Sequence, residues 1–275
     1  MTQIKKAVIV AGGAGTRFLP ITKSVPKEML PLMSKPVIQY NVEEIVASGI
    51  KDIIFIIAHG KEAIIDYFSV APALETYLVA RGDVESLKKI RHLPRMAHFS
   101  SVYQSAPLGL GHAVGIAKEA VGNEPFAVIL PDDVVDSQVP VLRQMLEIYK
   151  KHPGNILLVE KCRPEDTKRY GIIDAETLSP GVYRVKGLVE KPKPEDALSN
   201  LGIVGRYILM PEIFEAIAAT KPGKSGEIQL TDAIRIILET QPVFACEFEG
   251  VRHDTGTLEG WLKANLAWAS KGKQG

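Results

Sequence analysis

Ala7-Val8-Ile9-Val10-Ala11-Gly12-Gly13-Ala14-Gly15-Thr16-Arg17-Phe18-Leu19-Pro20 decides the fold. The apolar run reads as a buried strand, and it ends in a loop stripped of side chains. Glycine permits φ > 0 and close approach of a backbone to a ligand, and successive free N–H groups form a concavity for phosphate oxygens. A nucleotide is the natural guest. Neither familiar phosphate loop fits, however. A Walker A loop requires Gly-Lys followed by Ser or Thr, and this loop ends in Gly15-Thr16-Arg17. The dinucleotide fingerprint requires a small residue where Phe18 stands and an acid about 20 residues further on. That mismatch argues against a nicotinamide-dependent oxidoreductase.

The following segment is basic and broken by prolines, with Lys23, Pro26, Lys27, Pro31, Lys35 and Pro36. Successive prolines forbid a continuous helix, so the segment reads as an ordered loop carrying cations back over the glycines, which suits a triphosphate. Taken alone, the glycines are equally consistent with a tight turn beside a solvated basic loop.

The chain has 275 residues, 46% of them apolar and 24% charged, and a net charge of +1. It is long enough for a sizeable core, and offers no broad basic field for nucleic acid. Two cysteines, Cys162 and Cys246, form no C-x-x-C pair, so neither a disulfide framework nor structural zinc is indicated. The apolar run after Lys5-Lys6 is too short for a signal peptide, and no segment reads as a membrane span. These features together predict a cytoplasmic protein.

Hydrophobic spacing predicts a helix over Val37–Val46 stopped by Gly49, then a buried strand Asp52–Ile57. Strand, helix and strand in succession, with near-continuous apolar strands, indicate an α/β fold. Further helices are predicted at Glu62–Phe68, within Val84–Arg91, and at His112–Val121, with strands at Phe99–Gln104 and Phe126–Leu130. The second half reads as mixed sheet: a helix at Val141–Lys151, a strand at Ile156–Glu160, short strands around Ile172–Ile173 and over Val182–Val189, and a strand at Val204–Leu209. Helices from Pro211 and over Leu230–Glu239, a strand Val243–Phe248 and a helix Trp261–Trp268 complete the pattern. No linker divides the chain, so residues 1–269 read as one domain, with 270–275 a flexible tail.

Open α/β sheets bind ligands beyond the carboxyl ends of their strands, so the strand exits carry the candidate chemistry. Pro131-Asp132-Asp133 follows one strand and suggests magnesium, a hard ion held by one or two carboxylates with phosphates and water; a turn cap is the alternative. His253-Asp254-Thr255-Gly256-Thr257 presents another acid, which either completes a metal site or caps the last helix. Gln104 offers a donor and an acceptor to a pyrimidine edge, with Gly109 and Gly111 allowing the base to approach; otherwise it is a sheet-edge amide. His112 reads as a helix-start residue rather than a base. Glu190-Lys191 can serve a sugar hydroxyl and its phosphate, or form a surface ion pair.

These motifs occur in an order that closely resembles the bacterial UTP–glucose-1-phosphate uridylyltransferases, also called UDP-glucose pyrophosphorylases, of the sugar nucleotidyltransferase superfamily. The resemblance rests on Gly12–Pro20, Pro26-Lys27-Glu28-Met29-Leu30-Pro31, Lys35–Tyr40, Gly109-Leu110-Gly111-His112-Ala113, Leu130–Asp133, Tyr170-Gly171, Val189–Pro192 and Gly226–Ala233, and covers nearly the whole chain. It implies a nucleotidyltransferase-type, Rossmann-like fold with a mixed, mostly parallel central sheet flanked by helices and a smaller β-rich sugar-binding portion, residues 1–135 being mainly nucleotide-binding and 136–269 mainly sugar-binding. It implies the partners UTP, glucose 1-phosphate, UDP-glucose and diphosphate, the cofactor Mg2+, and a dimer or dimer of dimers. By the same resemblance Ala11, Gly12 and Gly13 line the nucleotide, and Gln104 and Gly109 meet the uracil. Asp132 is the principal metal ligand, Gly171 and Glu190 face glucose, and Lys191 meets the sugar phosphate. Arg17 and Lys27 serve the triphosphate and departing diphosphate. Asp254 is a second metal acid of the wider superfamily, and the segment around it looks more like the relatives that use dTTP. A dTTP-dependent thymidylyltransferase and a non-catalytic nucleotide-sugar sensor are the alternatives; the latter would be expected to lose the metal acids or loop cations.

Overall fold

In chain order, β1 (Lys6–Ala11) is followed by the two-residue strands β2 (Pro31–Leu32) and β3 (Lys35–Pro36), then β4 (Asp52–Ile57), β5 (His98–Tyr103), β6 (Phe126–Ile129) and β7 (Asp133–Asp136). The second half adds β8 (Asn155–Lys161), β9 (Gly171–Ser179), β10 (Val182–Glu190), β11 (Leu201–Leu209), β12 (Val243–Cys246) and β13 (Val251–Asp254). The structure is a computed structural model and describes residues 2–223 and 226–271.

Nine strands build one sheet in the order β5-β4-β1-β6-β11-β8-β12-β10-β9. Pairs β4–β5, β1–β4, β1–β6 and β8–β12 are parallel, whereas β11 runs against β6 and β8, and β10 runs against β12 and β9. Followed across the sheet, the pairings give seven strands one sense and leave β10 and β11 opposed. This is a mixed, mostly parallel sheet, and it runs through both halves of the chain. A further pairing of Ile172 with Gly202 ties the start of β9 back to β11. Glu190 pairs with Gly171, so the end of β10 is carried along with it.

Side chains alternate across a strand, and both faces here are covered. Val8, Ile54, Ile56, Phe126 and Val128 enter one core with the helices Leu110–Gly115, Ile213–Ala219 and Leu230–Ile237. Ala7, Ile9, Phe55, Ile57 and Ile129 enter the other, packed by the helices Val37–Ala47 and Val141–Lys151. The near-continuous apolar runs of the sequence are strands buried on two sides.

Several boundaries differ from the sequence reading. The helix predicted over His112–Val121 is two, Leu110–Gly115 and Lys118–Val121, broken just after Gly115, a poor helix former. A helix at Pro72–Ala80, with proline at its first position, had no place in the periodicity reading. The stretch Ala63–Ala80 has mean hydropathy 1.2, but it comprises two helices of 5 and 9 residues, each too short to cross a bilayer. The paired strands predicted in the second half are longer, nine residues each in β9 and β10. The strand predicted over Val243–Phe248 stops at Cys246, and the chain then forms β13. The final helix spans Leu258–Lys271, so residues 270 and 271 belong to it rather than to a tail, and 272–275 lie outside the described residues.

Candidate active site

The glycine loop follows β1 because the apolar strand ends there, with Ala11 and Gly12 buried and Gly13 exposed. A Cβ at Gly12 would lie 2.2 Å from Gln104 Oε1, so any side chain there would displace that amide. Gln104 leaves β5 with its backbone N–H bound to Ile57 O at 2.8 Å, and its Nε2 lies 3.1 Å from His112 Nδ1. Gly109 has φ 99°, and a Cβ there would fall 2.6 Å from Ile228 O. Its glycine is demanded by the close packing of the 226–230 segment. Gly111 N–H donates to Ile228 O at 2.8 Å, and Ile228 N–H to Leu108 O at 2.8 Å.

The basic loop folds as short 3-10 turns at Thr16–Phe18, Ile21–Lys23 and Lys27–Met29, consistent with its prolines. One cavity of about 360 Å³ opens between this loop and the exits of β1, β4 and β5, lined among others by Gly12, Lys23, Lys27, Lys61 and Gln104. Lys61 donates to both carboxylate oxygens of Glu28 at 2.9 Å. Burial pushes Glu28 above the usual carboxylate range and Lys61 below the usual lysine value, against the attraction of the pair.

A second cavity of about 380 Å³ lies over the exit of β6, lined among others by Arg17, Asp132, Gly171, Glu190, Lys191 and Asp254. Lys27 and Asp132 join the two spaces: Lys27 Nζ donates to Asp132 Oδ2 at 2.6 Å. Burial alone would raise the Asp132 carboxyl, but the Lys27 charge and hydrogen bond reverse this and hold it below the usual range. Burial alone would lower the Lys27 value, but the attraction of Asp132 and Glu28 and the hydrogen bond to Asp132 together shift it above the usual lysine value.

Asp132 and Asp254 are brought together by a two-stranded ribbon in which β13 pairs antiparallel with β7, Asp254 opposite Asp133. Thr255 reinforces the junction, donating to Asp132 O through its N–H at 2.7 Å and through Oγ1 at 2.8 Å. A Cβ at Gly256 would lie 2.8 Å from Asp132 Oδ2 and 3.0 Å from Asp254 Oδ1, so both carboxylates face the space beside this glycine. Asp254 also accepts from Arg169 Nη2 at 2.7 Å and from Gly256 N–H at 2.9 Å. It does not cap the last helix; Thr257 Oγ1 does, accepting from Gly260 N–H at 3.1 Å.

Asp133 plays a different part. Its carboxylate accepts from Arg252 Nη1 at 2.6 Å and from Gly205 N–H at 3.0 Å, and is buried. Arg252 also donates to Glu160 Oε2 and Tyr170 OH, each at 2.7 Å, fixing the residue before Gly171. Arg252 was not singled out in the sequence, although it stands just before the His253–Thr257 segment. The fully buried Arg206 bonds Glu44 Oε2 at 2.7 Å and Asp133 O at 2.6 Å, tying the acid segment to the helix Val37–Ala47.

On the far wall, Glu190 accepts from Thr231 Oγ1 at 2.9 Å and pairs with Lys191 Nζ at 2.9 Å. Thr231 was missed although it stands in the Gly226–Ala233 motif. A Cβ at Gly171 would meet Thr231 Cγ2 at 2.7 Å and Glu190 Oε2 at 3.3 Å, so glycine leaves the carboxylate accessible. Lys191 has φ 46°, one of two non-glycine residues with positive φ among those described. Such strain is concentrated at functional sites and here turns the lysine at the end of β10. Arg17 reaches Gly256 O at 3.4 Å. The structure thus gathers Arg17, Asp132, Asp254, Gly171, Glu190 and Lys191 on one cavity and Gly12, Gln104 and Lys27 on the other. Ala11, Gly13 and Gly109 line neither.

A sheet that carries a glycine loop, a cationic cradle and paired acids at its strand exits defines a class, and the chain belongs to the nucleotidyl transferase family, whose pattern spans residues 6–271. It is 46% identical over 274 residues to the UTP–glucose-1-phosphate uridylyltransferase of Bacillus subtilis (strain 168), covering 100% of this chain and 94% of that protein. The solved structure of a UDP-glucose pyrophosphorylase complexed with UDP-glucose matches with TM-score 0.88 at 44% identity, over 98% of this chain and 100% of the other. The UTP-bound enzyme from Acinetobacter baumannii matches with TM-score 0.89 at 38% identity, over 97% and 93%.

Proposed function

We propose that this protein transfers UMP from UTP to α-D-glucose 1-phosphate, giving UDP-glucose and diphosphate, with Mg2+ as its divalent ion. The observation that carries the reading is the Lys27–Asp132 pair, 2.6 Å long, which joins the cavity beside the glycine loop to the cavity over the exit of β6. The names of the full-length relatives supply the particular substrates.

The reaction requires two anions to meet. A phosphate oxygen of glucose 1-phosphate forms the new bond to the α-phosphorus of UTP while the bond from that phosphorus to the bridging β-phosphate oxygen breaks. The electron pair leaves on diphosphate, and neither a proton transfer nor a covalent enzyme intermediate is needed. Arg17 and Lys27 offset charge on the departing diphosphate and Lys191 on the sugar phosphate, so catalysis is positioning and electrostatics. Glu190, oriented by Thr231, accepts hydroxyl protons of the sugar in hydrogen bonds. The oxygens of Asp132 and Asp254 beside Gly256 are a hard donor pair that fits Mg2+. Bound there, the ion would neutralise phosphate charge; Lys27 contributes by keeping Asp132 ionised.

Turnover assays with UTP or dTTP, each with glucose 1-phosphate or galactose 1-phosphate, test the reading. Diphosphate release with UTP and glucose 1-phosphate should be the fastest; absence of turnover for that pair, or a higher kcat/KM with dTTP, overturns it. Lys191→Ala should raise KM for glucose 1-phosphate more than for UTP.

A further inference from the structure

We propose that His112 is a positioning residue that fixes which way the Gln104 amide faces, and thereby which pyrimidine the site accepts. The inference rests on the assignment of the base to Gln104 made above.

Glutamine is nearly symmetric in shape, so rotation by half a turn about its last bond exchanges Oε1 and Nε2. Packing alone does not choose between the two orientations. Here Gln104 is 6% exposed, and Nε2 lies 3.1 Å from His112 Nδ1. In this orientation the amide nitrogen can only donate, so Nδ1 accepts in the tautomer that carries its proton on Nε2, and Oε1 is left facing the glycine loop at Gly12. His112 is free for this task because it caps nothing: the helix Leu110–Gly115 starts at Gly109 without a side-chain cap. The backbone that carries the ring is also held in place. Gly109 and Gly111 press the start of that helix against Ile228, where a Cβ would fall 2.6 and 2.8 Å from its carbonyl oxygen.

The orientation has a chemical meaning. Uracil presents an N3–H donor beside a carbonyl acceptor, which matches Oε1 accepting and the second Nε2 hydrogen donating. Cytosine presents the reverse, a bare N3 beside an amino donor, and would need the amide turned over. Thymine has the same edge as uracil. His112 therefore favours UTP and dTTP alike over CTP and does not separate the first two.

The test measures kcat/KM for UTP, dTTP and CTP with glucose 1-phosphate, or the inhibition constant of CTP where its turnover is too slow to read. The enzymes are the wild type, His112→Leu, His112→Asp and Gln104→Leu. Ratios taken on one preparation cancel the fraction of folded enzyme, so a partly unfolded variant remains informative. For His112→Leu the UTP:CTP preference should fall by about tenfold, equivalent to about 1.4 kcal/mol, while the UTP:dTTP ratio stays unchanged. His112→Asp places an acceptor-only carboxylate near the position of Nδ1 and should restore the preference. If Gln104→Leu abolishes the UTP:CTP preference but His112→Leu keeps it, or His112→Asp behaves like His112→Leu, His112 does not set the amide and the base assignment stands. If Gln104→Leu itself keeps the preference, the base is read elsewhere and both statements fall.

Discussion

Lys27→Met removes one ammonium that the folded protein and the reaction both use, and the two losses differ in size and in pH dependence. In the folded chain the ammonium lies 2.6 Å from Asp132 Oδ2, with the two side chains 18% and 28% exposed. A hydrogen bond between charged groups contributes about 1.5–3 kcal/mol. Water reaches this pair, which places it near the lower figure, about 1.5 kcal/mol. Loss of one preorganised donor from a developing charge removes about 2.7–4 kcal/mol, or about 10²–10³ in kcat. The activity loss should therefore exceed the stability loss. Burial raises the Asp132 carboxyl and Lys27 more than reverses that, so its folded value is depressed. The pair then stabilises the fold above the unfolded carboxyl value of about 3.9, and its contribution is lost as pH falls through the folded value. Urea unfolding of both proteins should show a gap that is present at neutral pH and closes as pH falls below the unfolded carboxyl value of about 3.9. A gap undiminished at the lowest pH would refute the depressed carboxyl. A kcat within about tenfold of wild type in a folded variant would refute the role of Lys27 in the reaction.

Gly12→Ala places a methyl group 2.2 Å from Gln104 Oε1 and should raise KM for UTP but not for glucose 1-phosphate, with an overpacking cost of about 1–3 kcal/mol. Steady-state kinetics and urea unfolding read the two effects. Asp254→Asn should lower turnover by more than about tenfold and move the Mg2+ titration to higher concentration. Its thermal midpoint should barely change, because the Arg169 side chain it releases is 47% exposed. Arg252→Met leaves the buried Asp133 carboxylate without its cation and should cost about 3–5 kcal/mol in urea unfolding; a loss below about 1 kcal/mol would show that the pair is no keystone of the ribbon.

The strands of the first half were legible because burial on both faces leaves apolar runs, as in Asp52–Ile57, whose bounds the structure reproduces. The helix Val141–Lys151 was legible for a similar reason, its apolar residues recurring at helical spacing. The strands β7 and β13 were not legible. Val251–Asp254 is a short charged segment with no periodic signal, and it becomes a strand only because Asp133–Asp136 lies beside it. Arg252 escaped notice for the same reason: its three partners, Asp133, Glu160 and Tyr170, come from three separate parts of the chain. His112 looked like a helix-start residue because its position in the helix is local, whereas its bond to Gln104 depends on how that helix docks against Ile228.

By itself the sequence determined the strand exits, the glycine loop and the set of charged residues available there. Hydrophobic periodicity and glycine's freedom are properties of short segments, and they survive without knowledge of the rest of the chain. Only the tertiary structure decided the partners. Lys27 and Asp132 are 105 residues apart, and Asp254 reaches the same space through a ribbon formed by distant strands. A charge's effect depends on its distance from the next charge and on the water between them, and sequence spacing sets neither across a sheet.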